Sequence, residues 1–135
     1  MRPFLIAMGV LVAFVLAACE SVMSLAPTPP GEGIVIFLNV DFGGPSQALN
    51  VDVPDLGKVE GACSKGGEGE TPTWSDCISS VRVNPGWAAT LYRDKDYKGA
   101  SVMVTADTPN LRDLRGACNK DSFNDCVSSI RVARQ

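Results

Sequence analysis

From residue 34 onward the apolar positions recur every second residue. Ile34 and Ile36 share one face with Val35 and Phe37 on the other; Leu49, Val51 and Val53 repeat the alternation, and so do Val102 and Val104. A period of two puts alternate side chains on opposite faces of an extended chain, so these runs predict half-buried β-strands. Gly, Pro, Asn and Asp bound the runs, and no window carries a helical stripe. The pattern predicts about four short strands in each half of an all-β domain.

The pattern is written twice. Asp76-Cys77-Ile78-Ser79-Ser80-Val81-Arg82-Val83 returns as Asp125-Cys126-Val127-Ser128-Ser129-Ile130-Arg131-Val132. Phe37, Asp41, Phe42, Gly44, Ser46, Leu56, Gly61 and Cys63 recur fifty-five residues later as Tyr92, Asp96, Tyr97, Gly99, Ser101, Leu111, Gly116 and Cys118. Between the paired cysteines the offset falls to forty-nine, so the first copy carries six extra residues within 64–75, a Gly-rich and Thr-rich stretch that reads as an exposed loop. Two copies are too few for a solenoid or propeller. The expectation is two supersecondary units packed on each other: one motif over 34–83, a connector at 84–88 and a second motif over 89–135.

The amino end changes the compartment. Arg2 is followed by an apolar run over residues 4–18 and then Cys19, the form of a bacterial secretory signal and too short for a comfortable membrane span of about 20 residues. Leu16-Ala17-Ala18-Cys19 resembles the lipobox of bacterial lipoproteins, which implies cleavage after Ala18 and a diacylglyceryl group on Cys19. An ordinary cleaved signal or an uncleaved anchor is the alternative. The resemblance implies a lipid-anchored protein of the bacterial cell envelope, at the outer membrane, with its domain in the periplasm or at the cell surface. Residues 19–33, rich in Pro and Gly, read as an extended flexible tether.

Five cysteines become four once Cys19 is assigned to lipid, and these fall two per repeat, Cys63 with Cys77 and Cys118 with Cys126. A zinc site is the competing use. Neither pair has the close spacing of a zinc knuckle and the chain has no histidine, so two disulfides are the preferred reading, consistent with export. The net charge of −3 becomes one unit more negative without the signal, which leaves no basic field for nucleic acid. Without histidine or a spare thiol, nothing assembles the acid, base and nucleophile of a hydrolytic site, and the expectation is a protein that is not an enzyme.

A family likeness enters at Tyr92-Arg93-Asp94-Lys95-Asp96-Tyr97-Lys98-Gly99 and at 37–44 with Phe37, Phe42 and Gly44. Aromatic, four residues, aromatic, one residue, glycine resembles the hairpin signature of the βγ-crystallin Greek key. Asn124-Asp125-Cys126-Val127-Ser128-Ser129 resembles that family's second signature in full, and Ser75-Asp76-Cys77-Ile78-Ser79-Ser80 departs from it only at Ser75. The resemblance implies a βγ-crystallin-like sandwich of two Greek-key motifs, stapled by disulfides, over 34–135.

It also implies calcium, one ion or two. In calcium-binding members two such loops lie side by side and exchange ligands, which suits a hard cation that takes six to eight oxygens. Carried over, one site uses Asp76, Ser128 and the backbone carbonyl of Leu38, and its twin uses Asp125, Ser79 and the carbonyl of Arg93, with Asn124 completing the second loop. The same Asp and Ser residues also make turn hydrogen bonds without metal. Trp74 and Phe123, at one repeat position, are expected in the core and Trp87 between the repeats. Arg82 and Arg131 read as solvated strand-face charges, and Asp94 and Asp96 as a solvated turn. Beside a calcium-binding envelope module, the alternative is a protein-binding module such as a proteinase inhibitor on the same fold, with the 64–75 loop as its contact.

Overall fold

The computed structural model describes residues 22–64, 67–116, 118 and 121–135; the signal segment and Cys19 lie outside them. The first repeat supplies β1 (Ile34–Phe37), β2 (Ser46–Leu49), β3 (Glu60–Cys63) and β4 (Ser80–Val83). The second supplies β5 (Trp87–Asp94), β6 (Lys98–Val104) and β7 (Ser129–Arg134). Since β5 already starts at Trp87, the connector is shorter than 84–88. Among the described residues no helix is long and apolar enough to cross a membrane.

Two antiparallel sheets result, ordered β2-β1-β4 and β6-β5-β7. Alternation behaves as expected in β1, where Ile34 and Ile36 are fully buried and Val35 and Phe37 half-buried. These join Leu49 and Val81 from the same sheet and Leu91, Val104, Ile130 and Val132 from the other in one core. Trp74, Trp87 and Phe123 are buried in it too, as expected.

The repeats do not merely pack; they exchange a segment. After β2 the chain crosses to the second sheet, where Val53 and Ile130 trade backbone hydrogen bonds at 2.8 and 3.0 Å along the free edge of β7. Val81 on the free edge of β4 trades the same pair with Thr108, at 3.0 and 2.8 Å. Asp52 and Asp107 extend each crossing by accepting from the Val132 and Val83 amides. This corrects the reading of Leu49, Val51 and Val53 as one apolar face. Leu49 and Val53 are buried against different sheets, and Val51, at the crossing between them, is 53% exposed.

Each sheet's hairpin folds over at its tip. Asp41 and Phe42, and equally Asp96 and Tyr97, take φ between 55° and 59°, followed by Gly44 and Gly99 at 73° and 76°. The fold sets Phe37 edge-on to Phe42 and Tyr92 edge-on to Tyr97, both with ring centroids 5.7 Å apart. At these positive φ angles any side chain is strained, and a Cβ on Gly44 would press on the Asn39 amide at 2.6 Å and one on Gly99 on the Asp94 carboxylate at 2.4 Å.

Candidate functional site

The two Asp-Cys-x-Ser-Ser strings meet back to back where the sheets join. Asp76 and Asp125 adopt left-handed backbone, φ 58° and 55°, which Asp tolerates better than most residues. That turn aims each amide at the other repeat: Asp76 N–H donates to the Val127 carbonyl (3.1 Å) and Asp125 N–H to the Ile78 carbonyl (3.2 Å). The side chains cross in the same way. Ser128 Oγ donates to Asp76 Oδ1 at 3.1 Å, and Ser79 Oγ donates to Asp125 Oδ1 at 3.2 Å.

These spacings suit adjacent oxygens on one ion. At Ca–O distances of about 2.4 Å, neighbouring ligands around a six- to eight-coordinate cation lie about 3 Å apart. Both serines are buried while both aspartates reach the surface, leaving room for water to complete a coordination shell. Among the described residues no three His, Cys, Asp or Glu side chains gather in one place, so a cation here takes its remaining oxygens from hydroxyls, carbonyls and water.

Asn124 adds an independent mark. Only 7% exposed, it donates from Nδ2 to the Asp125 carboxylate, and its Oδ1 is buried with no hydrogen-bond partner, alone in this among the described residues. A buried acceptor without a donor costs free energy that a cation or a water recovers. The first repeat has Ser75 there, buried and with no amide oxygen to offer.

Each hairpin strand lies beside the serine of its own repeat. Ser79 N–H donates to the Phe37 carbonyl (3.0 Å) and Ser128 N–H to the Tyr92 carbonyl (2.9 Å). Leu38 therefore follows the strand beside Ser79 and Asp125, and Arg93 the strand beside Ser128 and Asp76. The reason is topological: β1 pairs with its own repeat's β4 and β5 with its own β7, so only the aspartate crosses between repeats.

Two disulfides hold the loops from behind. Cys63 pairs with Cys77 and Cys118 with Cys126, at Cα separations of 6.2 and 6.0 Å, so each bridged cysteine of the string directly follows its aspartate. Gly61 and Gly116 let Trp74 and Phe123 lie across the chain just before each string. A Cβ would come within 2.5 Å of the Trp74 ring and 2.0 Å of the Phe123 ring.

Several residues act in ways the sequence reading did not assign. The second serine of each string, Ser80 or Ser129, is fully buried and pins the folded hairpin. Ser80 Oγ accepts from the Phe42 amide and donates to the Asn39 carbonyl; Ser129 Oγ accepts from the Tyr97 amide and donates to the Asp94 carbonyl. The available signal was their recurrence in both copies. Arg82 and Arg131 are exposed but not simply solvated, since their guanidinium groups lie 4.5 Å from the Phe42 ring and 4.4 Å from the Tyr97 ring. Burial pushes the Tyr97 phenol above its usual pKa, with the Asp52 carboxylate adding to the effect. Asp94 is not a lone turn acid: both its oxygens bind the Arg93 guanidinium at 2.9 Å, a hydrogen bond that holds its carboxyl below the usual range.

Known proteins share this architecture. A βγ-crystallin domain from Flavobacterium johnsoniae superposes with a TM-score of 0.55 at 27% identity, covering 76% of this chain and 94% of that one. The N-terminal domain of Protein S gives 0.55 and 27%, covering 76% and 96%. In sequence the chain is 36% identical over 99 residues to the Development-specific protein S homolog of Myxococcus xanthus, across 73% of this chain. It spans about half the length of that relative, 46%. The model of peptidase inhibitor family I36 matches residues 36–105, just over half of the chain, including most of the first repeat's hairpin and all of its insertion and Asp-Ser string. With two antiparallel sheets that exchange segments as βγ-crystallin Greek keys, the protein belongs to peptidase inhibitor family I36.

Proposed function

We propose that this is a non-catalytic, lipid-anchored module of a bacterial cell envelope that binds one or two calcium ions between its paired loops and is stabilised by them. One observation carries the reading: the crossed Asp76–Ser128 and Asp125–Ser79 pairs, with the orphan Asn124 oxygen beside the second. Asp125, Ser79, Asn124 and the Leu38 carbonyl form the stronger site; Asp76, Ser128 and the Arg93 carbonyl form its twin, weakened by Ser75. The lipobox ending in Cys19 supports the anchor, and the relatives, named as crystallin domains, Protein S and inhibitors, support a non-catalytic role.

Calcium that binds only the folded state stabilises it by RT ln(1 + [L]/Kd). Thermal unfolding in EDTA, then in millimolar calcium, with magnesium as control, tests this directly. A calcium-specific rise in Tm is expected; identical curves in all three would overturn the reading.

A second reading has its own support in the family match. Under it the protein inhibits a peptidase through the disulfide-closed loop between Cys63 and Cys77, where the first repeat carries its extra residues. Titration against metallo-, serine and cysteine peptidases, with the loop shortened to the length of its counterpart, separates the readings. Loss of inhibition with calcium binding intact supports the loop; undiminished inhibition by the shortened protein rules it out.

A further inference from the structure

Over its described residues, 22–33, the amino-terminal arm is bound to the domain, where a flexible tether was expected over 19–33. Met23 N–H donates to the Lys58 carbonyl (2.8 Å) and the Met23 carbonyl accepts from the Glu60 amide (3.2 Å), a parallel bridge to Val59 at the start of β3. Leu25 packs against the core. Further along, Glu32 accepts from Asn50 and Arg134 through its carboxylate and from Asn84 through its carbonyl. An apolar residue and an open strand edge explain why the Pro-rich segment docks: it completes backbone hydrogen bonding that β3 lacks on that side.

The docking fixes what lies beside the arm. The next amide along β3, that of Gly61, donates to the Pro72 carbonyl at 2.9 Å, and successive amides of a strand point to opposite edges, so arm and insertion flank β3. Between them opens a groove of about 450 Å³ lined by Val22 of the arm, Gly57, Gly69, Glu70 and Lys95. Met23 itself stays 62% exposed.

We infer that the docked arm holds the domain flush on the lipid bilayer, with β3 and the insertion tip around Glu68 and Glu70 turned to the headgroups. The inference rests on lipid attachment at Cys19. Met23 stands four positions after Cys19, and a fully extended chain spans at most about 3.6 Å per residue, so the clamp lies within about 14 Å of the lipidated residue. A tether free as far as Gly33 would reach about 50 Å on the same scale. The partner is thus the membrane surface, and the face is set by covalent reach and not by affinity. Any protein partner approaches from the remaining faces.

The test uses the full chain, made with its signal, its intact mass establishing the lipid on Cys19, in vesicles of phosphatidylethanolamine and phosphatidylglycerol. A Glu-specific endopeptidase then probes Glu68 and Glu70. A second version carries a twelve-residue Gly/Ser spacer after Glu20, which lengthens the reach and leaves the folded domain untouched, and a third carries Met23→Pro, which removes the docking N–H. Cleavage of the parent protein is expected at least tenfold slower than that of either altered version. Equal rates in the lipidated parent and the lipidated spacer version would overturn the inference. A chain without lipid mass at Cys19 would overturn the anchor, and the inference with it.

Discussion

Aspartate at a left-handed position is the recurring local device of this molecule. Asp41, Asp76, Asp96 and Asp125 all take positive φ, so their identity alone has a metal-free explanation in turn geometry. What distinguishes Asp76 and Asp125 is the buried hydroxyl each meets from the other repeat and, for Asp125, the Asn124 oxygen left without a donor. The signature named all four serines, but the resemblance gave a role only to Ser79 and Ser128. The role of Ser80 and Ser129 was not legible, since their work depends on hairpins 32 to 41 residues earlier in the chain. Each joins two backbone groups through part-buried hydrogen bonds, so Ser129→Ala should cost about 1–3 kcal/mol by stranding the Tyr97 amide and Asp94 carbonyl. Denaturant unfolding measures this; a change within about 0.5 kcal/mol would show that water replaces the hydroxyl. The stacking of Arg82 and Arg131 was hidden for the same reason, because only the folded hairpin brings an aromatic ring under each guanidinium.

Among the elements, the hairpin and the aromatic before each string are built identically in both copies. Gly61 faces Trp74 and Gly116 faces Phe123 with no room for a Cβ. Gly116→Ala should destabilise by about 1–3 kcal/mol, the usual cost of overpacking, and should shift the Phe123 ring and the Asn124–Asp125 turn behind it. A lower Tm with weakened calcium binding is the expected pair of readouts; an unchanged Tm would contradict the contact. Strands β1 and β6 were legible because their alternation stays within one sheet. The run Leu49, Val51, Val53 misled because periodicity registers which residues are apolar and not that the chain changes sheets between them. The arm was misread by composition: Pro and Gly imply an extended segment but do not forbid it from pairing with an open edge, as Met23 does with Val59.

As a whole, the molecule is a duplication whose halves each need the other. Val53 lies on β7 and Thr108 on β4, so neither repeat can complete a sheet alone. The domain should melt in one cooperative transition, and residues 34–83 made separately should lack one by circular dichroism; two resolved transitions in the intact domain would contradict the exchange. The disulfides add about 3 kcal/mol for the 14-residue separation and about 2.5 kcal/mol for the 8-residue separation through the unfolded state, each holding a site loop from behind. The same exchange places the two Asp–Ser loops together, so fold and proposed site share one origin in the duplication. Calorimetric calcium titration of the disulfide-intact protein, beside Asp76→Ala and Asp125→Ala, tests that link most directly. Calcium binding is expected in the parent protein, with a larger loss of affinity in Asp125→Ala than in Asp76→Ala and loss of binding when both are replaced. No heat of binding in the parent, or undiminished binding in the double replacement, would contradict that link.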